Sequence, residues 1–192
     1  KALLSLDDEQ SIITFVVSNL RKIFSDIILV TNTREKFFHL NVSTVKNQIS
    51  YATKIVEDII PGLGPISGIH SGLIHSKSPH SFVIASDMPF INVELIKYME
   101  NQIEDNDVIV PKTKNGYEPL YAFYSKSCIL PIETQIKRKK FNVINIFNKV
   151  KLKEIREEEI KKFDDKETTF FNINTEEDYN KAKEIYIKQN EK

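Results

Sequence analysis

The sequence has only one cysteine, five glycines, no excess of charge of either sign and no long apolar run. The single cysteine, Cys128, excludes an internal disulfide framework and fits a reducing compartment; with no His or acid near it in sequence, we interpret it as a packing residue. Lys plus Arg and Asp plus Glu number 27 each, so no global field attracts nucleic acid. Because no apolar run approaches membrane-spanning length and no leader opens the chain, we expect a cytoplasmic protein without membrane or nucleic-acid partners.

Several catalytic and metal-binding motifs are also missing. The sequence contains no Gly-x-Ser-x-Gly elbow, no Walker phosphate loop, no dinucleotide fingerprint and no Asp-x-Asp near Asp87. His70 and His75 fall on different sides of a predicted helix and join no Cys or His cluster, so zinc is not expected. The basic run of residues 137–140 is typical of a helix end.

What is present is an alternation of apolar strands with amphipathic helices over 192 residues, which suits one domain. Such alternation is typical of a mostly parallel sheet covered on both faces, in an α/β fold. Residues 108–124 depart from it and predict a mixed sheet with an antiparallel member. The predicted strands are 27–30, 53–56, 82–86, 108–110, 119–124, 150–155 and 170–173, and the predicted helices are 11–24, 66–75, 92–104, 127–139, 142–149 and 175–188.

Asp87 is the most informative residue, because it follows the apolar strand at 82–86 and precedes Pro89. Ligands of open parallel sheets bind beyond the carboxyl ends of the strands, where an aspartate can hold a hard cation such as Mg²⁺. A second interpretation is that Asp87 caps the helix that follows Pro89. These residues alone do not decide between the two.

Four of the five glycines lie between residues 62 and 72, in a turn and the helix after it. Because glycine is costly inside a helix, Gly68 and Gly72 indicate the close approach of another backbone or of a ligand. The alternative is tight helix-to-sheet packing, which explains Gly72 better than Gly68. Near the other end of the chain, Thr175 is a predicted helix cap. Asn172 and Asn174 flank Ile173 on one face of a predicted strand, where paired amides could bind a polar heterocycle.

Taken together and in order, several segments resemble those of the molybdenum cofactor guanylyltransferases over nearly the whole chain. The Asn-Ile-Asn-Thr segment points most to this family, whereas the Gly-Pro and Asp-Met-Pro segments are shared with related nucleotidyltransferases. The matching segments are Lys1-Ala2-Leu3-Leu4, Glu57-Asp58, Gly64-Pro65-Ile66-Ser67-Gly68-Ile69, Ser86-Asp87-Met88-Pro89-Phe90, Glu118-Pro119-Leu120-Tyr121-Ala122 and Phe171-Asn172-Ile173-Asn174-Thr175.

The resemblance implies a Rossmann-like three-layer α/β/α nucleotidyltransferase fold that transfers GMP from GTP to molybdenum-molybdopterin and releases pyrophosphate. It implies Mg²⁺, or Mn²⁺ in its place, as the cofactor, and a transient contact with proteins that deliver molybdopterin or receive the cofactor. It implies that Asp87 is a metal ligand and a catalytic residue, and that Lys1 is a catalytic residue that contacts the phosphates. The implied nucleotide site consists of Lys1, Thr31, Asp58, Gly64, Gly68 and Asp87. Asn172 and Asn174 are implied to lie on the pterin side.

The chain departs from the family pattern at two places. The family's first strand and its glycine-rich Leu-Ala-Gly-Gly loop stand just before the position of Lys1, so we interpret residues 1–192 as a single nucleotidyltransferase domain without them. Thr31 stands where some members carry an Asn that contacts GTP. The alternatives are therefore a CTP:molybdopterin cytidylyltransferase or sugar-phosphate nucleotidyltransferase of the same fold, or a nucleotide-binding module without catalysis.

Overall fold

The computed structural model describes residues 3–7, 10–41, 44–45, 48–49, 53–165 and 168–190. Its strands are β1 (Ser5–Asp7), β2 (Gln10–Ser11), β3 (Ile28–Val30), β4 (Thr44–Val45), β5 (Gln48–Ile49), β6 (Lys54–Val56), β7 (His80–Ile84), β8 (Val108–Thr113), β9 (Gly116–Tyr117), β10 (Tyr121–Ser125) and β11 (Leu152–Arg156). Its α-helices are α1 (Ile12–Leu20), α2 (Pro65–His75), α3 (Val93–Glu100), α4 (Ile129–Lys137), α5 (Glu157–Ile160) and α6 (Glu176–Asn190). 3-10 turns cover Arg34–Asn41, Lys126–Cys128 and Val143–Lys149.

The main sheet has the strand order β11-β8-β10-β7, with β9 paired beside β8. β10 is antiparallel to both β7 and β8, whereas β11 is parallel to β8. The mixed sheet with an antiparallel member, predicted from residues 108–124, is therefore confirmed, and that member is β10. β3 and β6 form a separate parallel pair.

Helices cover both faces of the main sheet. Alternate residues of a strand point to opposite faces, and in β8 both sets are apolar and buried, so each face packs against helices. Val108 and Val110 of β8 pack with α2, α4 and the 3-10 turn at Val143–Lys149. Ile109 of the same strand packs on the other face with α3, β11 and α5. The predicted three-layer α/β/α architecture is confirmed.

α2 fixes the relative direction of the two sheets. Near its start, Ser67 Oγ donates a hydrogen bond to the Ile60 carbonyl beyond the end of β6 (2.5 Å), and at its end the His75 carbonyl accepts one from Lys54 Nζ at the start of β6 (3.4 Å). β7 begins five residues after α2 ends. β3, β6 and β7 therefore run in the same direction and end at the same side, which we call the carboxyl end.

One of the two open interpretations of Asp87 and one predicted strand are wrong. Asp87 does not cap the next helix, because the cap of α3 is Asn92, whose side chain accepts the Leu95 N–H at 3.0 Å. Residues 170–173 do not form a strand, since the Asn172 side chain turns back to the Phe170 carbonyl and Ile173 bonds to a turn and not to a strand.

The closing helix is confirmed, although it begins at Glu176. Thr175 Oγ1 accepts the Asp178 N–H at 3.0 Å, and Asp178 in return accepts the Thr175 N–H at 2.8 Å. The hydrogen bond from Thr175 lowers the pKa of Asp178. None of the helices in the described ranges has both the length and the apolar character needed to cross a bilayer.

Candidate active site

Asp87 lies at the carboxyl end of β7, in a turn closed by a hydrogen bond from the Met88 N–H to the Ala85 carbonyl (3.3 Å). Its own carbonyl accepts the Ile173 N–H at 3.0 Å, so its backbone is fixed from two directions. The side chain is half-buried and lines a cavity between β3 and β7. Within the described part of the chain, the carboxylate has no hydrogen bond or ion pair, which leaves both oxygens available to a ligand.

The chemistry of this carboxylate fits Mg²⁺. The described residues hold no group of three or more His, Cys, Asp or Glu side chains that could bind a metal by themselves. Mg²⁺ does not require such a group, because it commonly takes one or two carboxylates together with substrate phosphates and water. The carboxylate of Asp87, on a backbone held by hydrogen bonds at a cavity wall, meets that requirement.

A second polar group lies at the carboxyl ends of β3 and β6. Because Val30 pairs with Val56, residues two positions beyond each strand come opposite each other. There Asn32 Nδ2 donates to Asp58 Oδ2 at 2.9 Å, and the Asp58 N–H donates to Asn32 Oδ1 at 3.2 Å. Thr31 donates its N–H to the Val56 carbonyl at 2.9 Å. Asp58 is therefore held by a residue that the sequence analysis missed, although the equal offsets from paired strands could have indicated it.

A cavity of about 940 Å³ separates the two sheets. Residues 27–30 of β3 and its approach line one wall, and residues 80–87 of β7 and its turn line the other. Pro65, Gly68, Ile69 and Gly72 of α2 also line it. Asp87 stands at the carboxyl end of this cleft.

Backbone groups of β3 and β7 point into the cleft without strand partners in the described ranges. On β3, the Ile27 carbonyl and the Thr31 N–H bond to β6, so by alternation the groups of Ile28 and Val30 point the opposite way. On β7, the Ala85 N–H bonds to Leu120 at the start of β10, so the groups of Phe82 and Ile84 point into the cleft. Two facing strand edges with open backbone donors and acceptors are a template for strand pairing.

The two helical glycines of α2 differ in what surrounds them. A Cβ added at Gly72 would meet Val30 Cγ2 at 3.8 Å, which bears out the helix-to-sheet packing expected there. A Cβ added at Gly68 would meet nothing within 4 Å, although both glycines line the cavity. Gly64 precedes the helix with φ +74°, a conformation that side chains rarely adopt. Gly64 thus shapes the turn into α2, whereas Gly68 leaves open space.

Asn172 and Asn174 are brought beside Asp87 by the hydrogen bond between Ile173 and the Asp87 carbonyl (3.0 Å). Ile173 is buried, Asn172 is half-buried and Asn174 is exposed. The expected shared strand face is absent, because the segment is not a strand. Nevertheless, both amides lie on the segment that borders the turn of Asp87.

Other predicted residues are separated from this site or outside the description. Cys128 is fully buried at the opposite end of the sheet, and burial raises its pKa to about 11, which bears out its interpretation as a packing residue. His70 is buried and contacts Glu133 Oε1 at 3.3 Å. Lys1 lies outside the described residues.

A family model described as MobA-like NTP transferase domain matches residues 1–148 of the chain. A probable molybdenum cofactor guanylyltransferase of Pelotomaculum thermopropionicum is 36% identical over 183 residues, which cover 95% of this chain and 83% of the relative. A molybdenum cofactor guanylyltransferase of Desulfosudis oleivorans is 30% identical over 176 residues, covering 91% and 82%.

Among solved structures, molybdopterin-guanine dinucleotide biosynthesis protein A of Archaeoglobus fulgidus matches with a TM-score of 0.80 and 25% identity, covering 98% of this chain and 91% of its own. The 2-C-methyl-D-erythritol 4-phosphate cytidylyltransferase of Thermus thermophilus matches with a TM-score of 0.66 at 9% identity, covering 97% and 94%. The second likeness supports the fold alone.

Proposed function

The chain belongs to the family of MobA-like NTP transferase domains, and from this premise we propose that it is a GTP-dependent guanylyltransferase that makes molybdopterin guanine dinucleotide. The observation that carries the proposal is the position of Asp87. Its backbone is fixed at the carboxyl end of β7, and its carboxylate has no partner among the described residues and borders a cavity large enough for a ligand. The relatives named above supply the identity of the substrates, GTP and a molybdopterin-type acceptor.

In the proposed reaction, a terminal phosphate oxygen of the acceptor attacks the α-phosphorus of GTP. A new P–O bond forms as the bond between the α- and β-phosphates breaks, and pyrophosphate leaves. No covalent intermediate on the protein is needed, so the protein acts by holding nucleophile and leaving group in line. Asp87 would hold Mg²⁺, which when bound offsets the negative charge that develops on the phosphates.

The remaining roles divide between the two sides of Asp87. We propose that Thr31 and Asp58, with Gly64, Gly68 and Lys1, form the nucleotide side. The pair of Asn32 and Asp58 supports this, because it fixes a carboxylate at the ends of β3 and β6. We assign Asn172 and Asn174 to the pterin side, supported by their segment's contact with Asp87. The cytoplasmic location and the transient contact with other proteins of the cofactor pathway stay predictions.

We also propose that the cleft between β3 and β7 takes one more strand, the first strand that the resemblance places before Lys1. The backbone groups of Ile28, Val30, Phe82 and Ile84, which have no strand partner within the described ranges, support this, because one extended segment between them would bond to both edges. Such a strand would join the two sheets, and the loop after it would reach the carboxyl end between Asp58 and Asp87.

The test of the proposed function is nucleotide selectivity and transfer. Binding of GTP and CTP in the presence of Mg²⁺ is measured by calorimetry, and release of pyrophosphate is measured with molybdenum-molybdopterin as the acceptor. We expect tighter binding of GTP and acceptor-dependent pyrophosphate release from GTP. A preference for CTP would show a cytidylyltransferase, and binding without pyrophosphate release would show a module without catalysis.

A further inference from the structure

Glu118 is a second carboxylate at the carboxyl end of the main sheet, and it has no role in the proposed reaction. We propose that Glu118 recognises the acceptor of the reaction by accepting hydrogen bonds from two adjacent donors of its heterocycle, a ring N–H and an exocyclic amino group. This inference rests on the proposed function, because it names a group that selects the acceptor of that reaction.

The backbone of Glu118 is fixed next to the turn of Asp87. The Glu118 N–H donates to the Pro111 carbonyl at 3.0 Å, and its carbonyl accepts the Tyr121 N–H at 3.0 Å. The turn of residues 118–121 is joined to the turn of residues 85–88 by the hydrogen bond from the Ala85 N–H to the Leu120 carbonyl (3.1 Å). Two carboxylates therefore leave neighbouring strands at the same end of the sheet, each from a tight turn.

The side chain of Glu118 is half-buried, and its carboxylate has no hydrogen bond or ion pair among the described residues. Partial burial raises its pKa, because the charged form loses water without gaining a partner. Leaving a carboxylate in that state costs free energy, so an unpartnered one calls for an explanation. A bound ligand that donates hydrogen bonds would supply the missing partner.

Glu154, near the same end, shows the contrasting case. It accepts hydrogen bonds from Lys112 Nζ at 3.0 Å and from Tyr117 Oη, and these interactions lower its pKa. Its oxygens are occupied by the protein itself. Glu154 is therefore explained by structure, and it provides a matched control for Glu118.

The charge of the carboxylate limits what the ligand can be. A phosphate would be repelled by Glu118, whereas adjacent N–H donors match the two oxygens of a carboxylate. The 2-amino-4-oxo ring of a pterin presents such a pair. Guanine presents the same pair, so the position of Glu118 decides between the two rings. Glu118 leads into β10, on the side of β7 away from β3, whereas Thr31 and Asp58 of the proposed nucleotide side lie beyond β3 and β6. Glu118 is therefore assigned to the pterin.

The test compares the binding of two fluorescent probes by titration. Pterin carries the 2-amino group, and lumazine carries a carbonyl at that position. We expect the unaltered protein to bind pterin about tenfold more tightly than lumazine, which is the scale of one charge-assisted hydrogen-bonding pair. Glu118→Gln should remove this preference without changing the affinity for lumazine, while Glu154→Gln should keep it.

A second measurement needs no variant. Because the carboxylate is the form that accepts the hydrogen bonds, pterin affinity should fall as the pH drops through the raised pKa of Glu118, while lumazine affinity changes less. No preference in the unaltered protein, or a preference that survives Glu118→Gln, would overturn the inference. Absence of guanylyl transfer with the probe preference intact would instead refute the proposed function and leave the assignment of Glu118 standing.

Discussion

The two ends of the main sheet each carry an aspartate at the terminus of a strand, and the two side chains have opposite surroundings. At the amino end of β8, Asp107 accepts hydrogen bonds from the Lys151 N–H at 2.8 Å, from Ser125 Oγ at 3.2 Å and from Ser127 Oγ. At the carboxyl end of β7, the carboxylate of Asp87 has no partner in the described ranges. The carboxylate of Asp107 is thus saturated with hydrogen bonds, and we call its end of the sheet the saturated end. The carboxylate of Asp87 is open to a ligand, and we call its end the open end.

The difference teaches how to separate structural carboxylates from binding ones. Asp107 joins β8, the end of β10 and the approach to β11, so its oxygens stabilise the sheet. Asp87 and Glu118 form no comparable hydrogen bonds within the described residues. The free-energy cost of such unpartnered carboxylates is tolerated at the end of the sheet where ligands of α/β proteins bind. Substitutions at the two ends should therefore separate into losses of activity and losses of stability.

The largest expected effect is on activity at the open end. Asp87→Asn keeps the size of the side chain but removes its charge, so it should lower guanylyl transfer by about a hundredfold or more, the scale of losing a charge-stabilising group. The free energy of unfolding, measured by urea denaturation, should stay within about 0.5 kcal/mol of the unaltered protein, because no described contact is lost.

Asp105→Asn is the matched control, because Asp105 is exposed in the loop before β8. It should change neither quantity. Normal turnover in Asp87→Asn would refute the metal-binding role, and a large loss of stability in that variant would show that Asp87 belongs with Asp107.

The next effect is on stability at the saturated end. Asp107→Asn turns one acceptor oxygen into a donor amide, which then faces donors, and should lower the free energy of unfolding by about 1–3 kcal/mol. Transfer activity per folded molecule should be unchanged. Full stability in this variant would contradict the assignment, and Asp105→Asn again serves as control.

The pH dependence of Asp107 follows from the same contacts. Burial alone would raise its pKa, but the hydrogen bonds from Ser127, Lys151 and Ser125 lower it overall. A carboxyl whose pKa is lower in the folded state stabilises the protein above its unfolded pKa of about 4 and loses that contribution as the pH falls through the folded value. We therefore expect the free energy of unfolding, measured by urea denaturation at successive pH values below about 4, to depend less on pH in Asp107→Asn than in the unaltered protein.

Much of the fold was predictable, because buried strands and amphipathic helices carry their own periodicity. The antiparallel strand was indicated by the break in alternation over residues 108–124. The strand expected at residues 170–173 was wrong because an apolar pattern cannot tell a strand from an extended segment that docks on a turn. Ile173 is buried as a strand residue would be, yet its N–H bonds to the Asp87 carbonyl and not to a ladder.

The site was predictable only in part, for a different reason. Asp87 could be singled out because it directly follows a strand, but the choice between cap and ligand needed the contacts of Asn92. Asn32 was missed because its significance comes from the register between β3 and β6, which the sequence does not state. The open state of Glu118 likewise depends on which neighbours fail to reach it.

The smallest expected effect separates the two glycines of α2 at the open end. Gly68→Ala and Gly72→Ala should each raise the free energy of unfolding by about 0.5–1 kcal/mol, because alanine favours the helix and neither added Cβ meets an obstacle. Gly68→Ala should lower transfer activity by a few fold and Gly72→Ala should not, because Gly68 lies one turn nearer the carboxyl end and its methyl group would enter open space, whereas the methyl group at position 72 would rest on Val30. Urea denaturation and transfer assays on the two variants give the comparison. Equal activities would show that Gly68, like Gly72, is explained by the packing of α2 alone, and that the cleft tolerates a side chain on that wall.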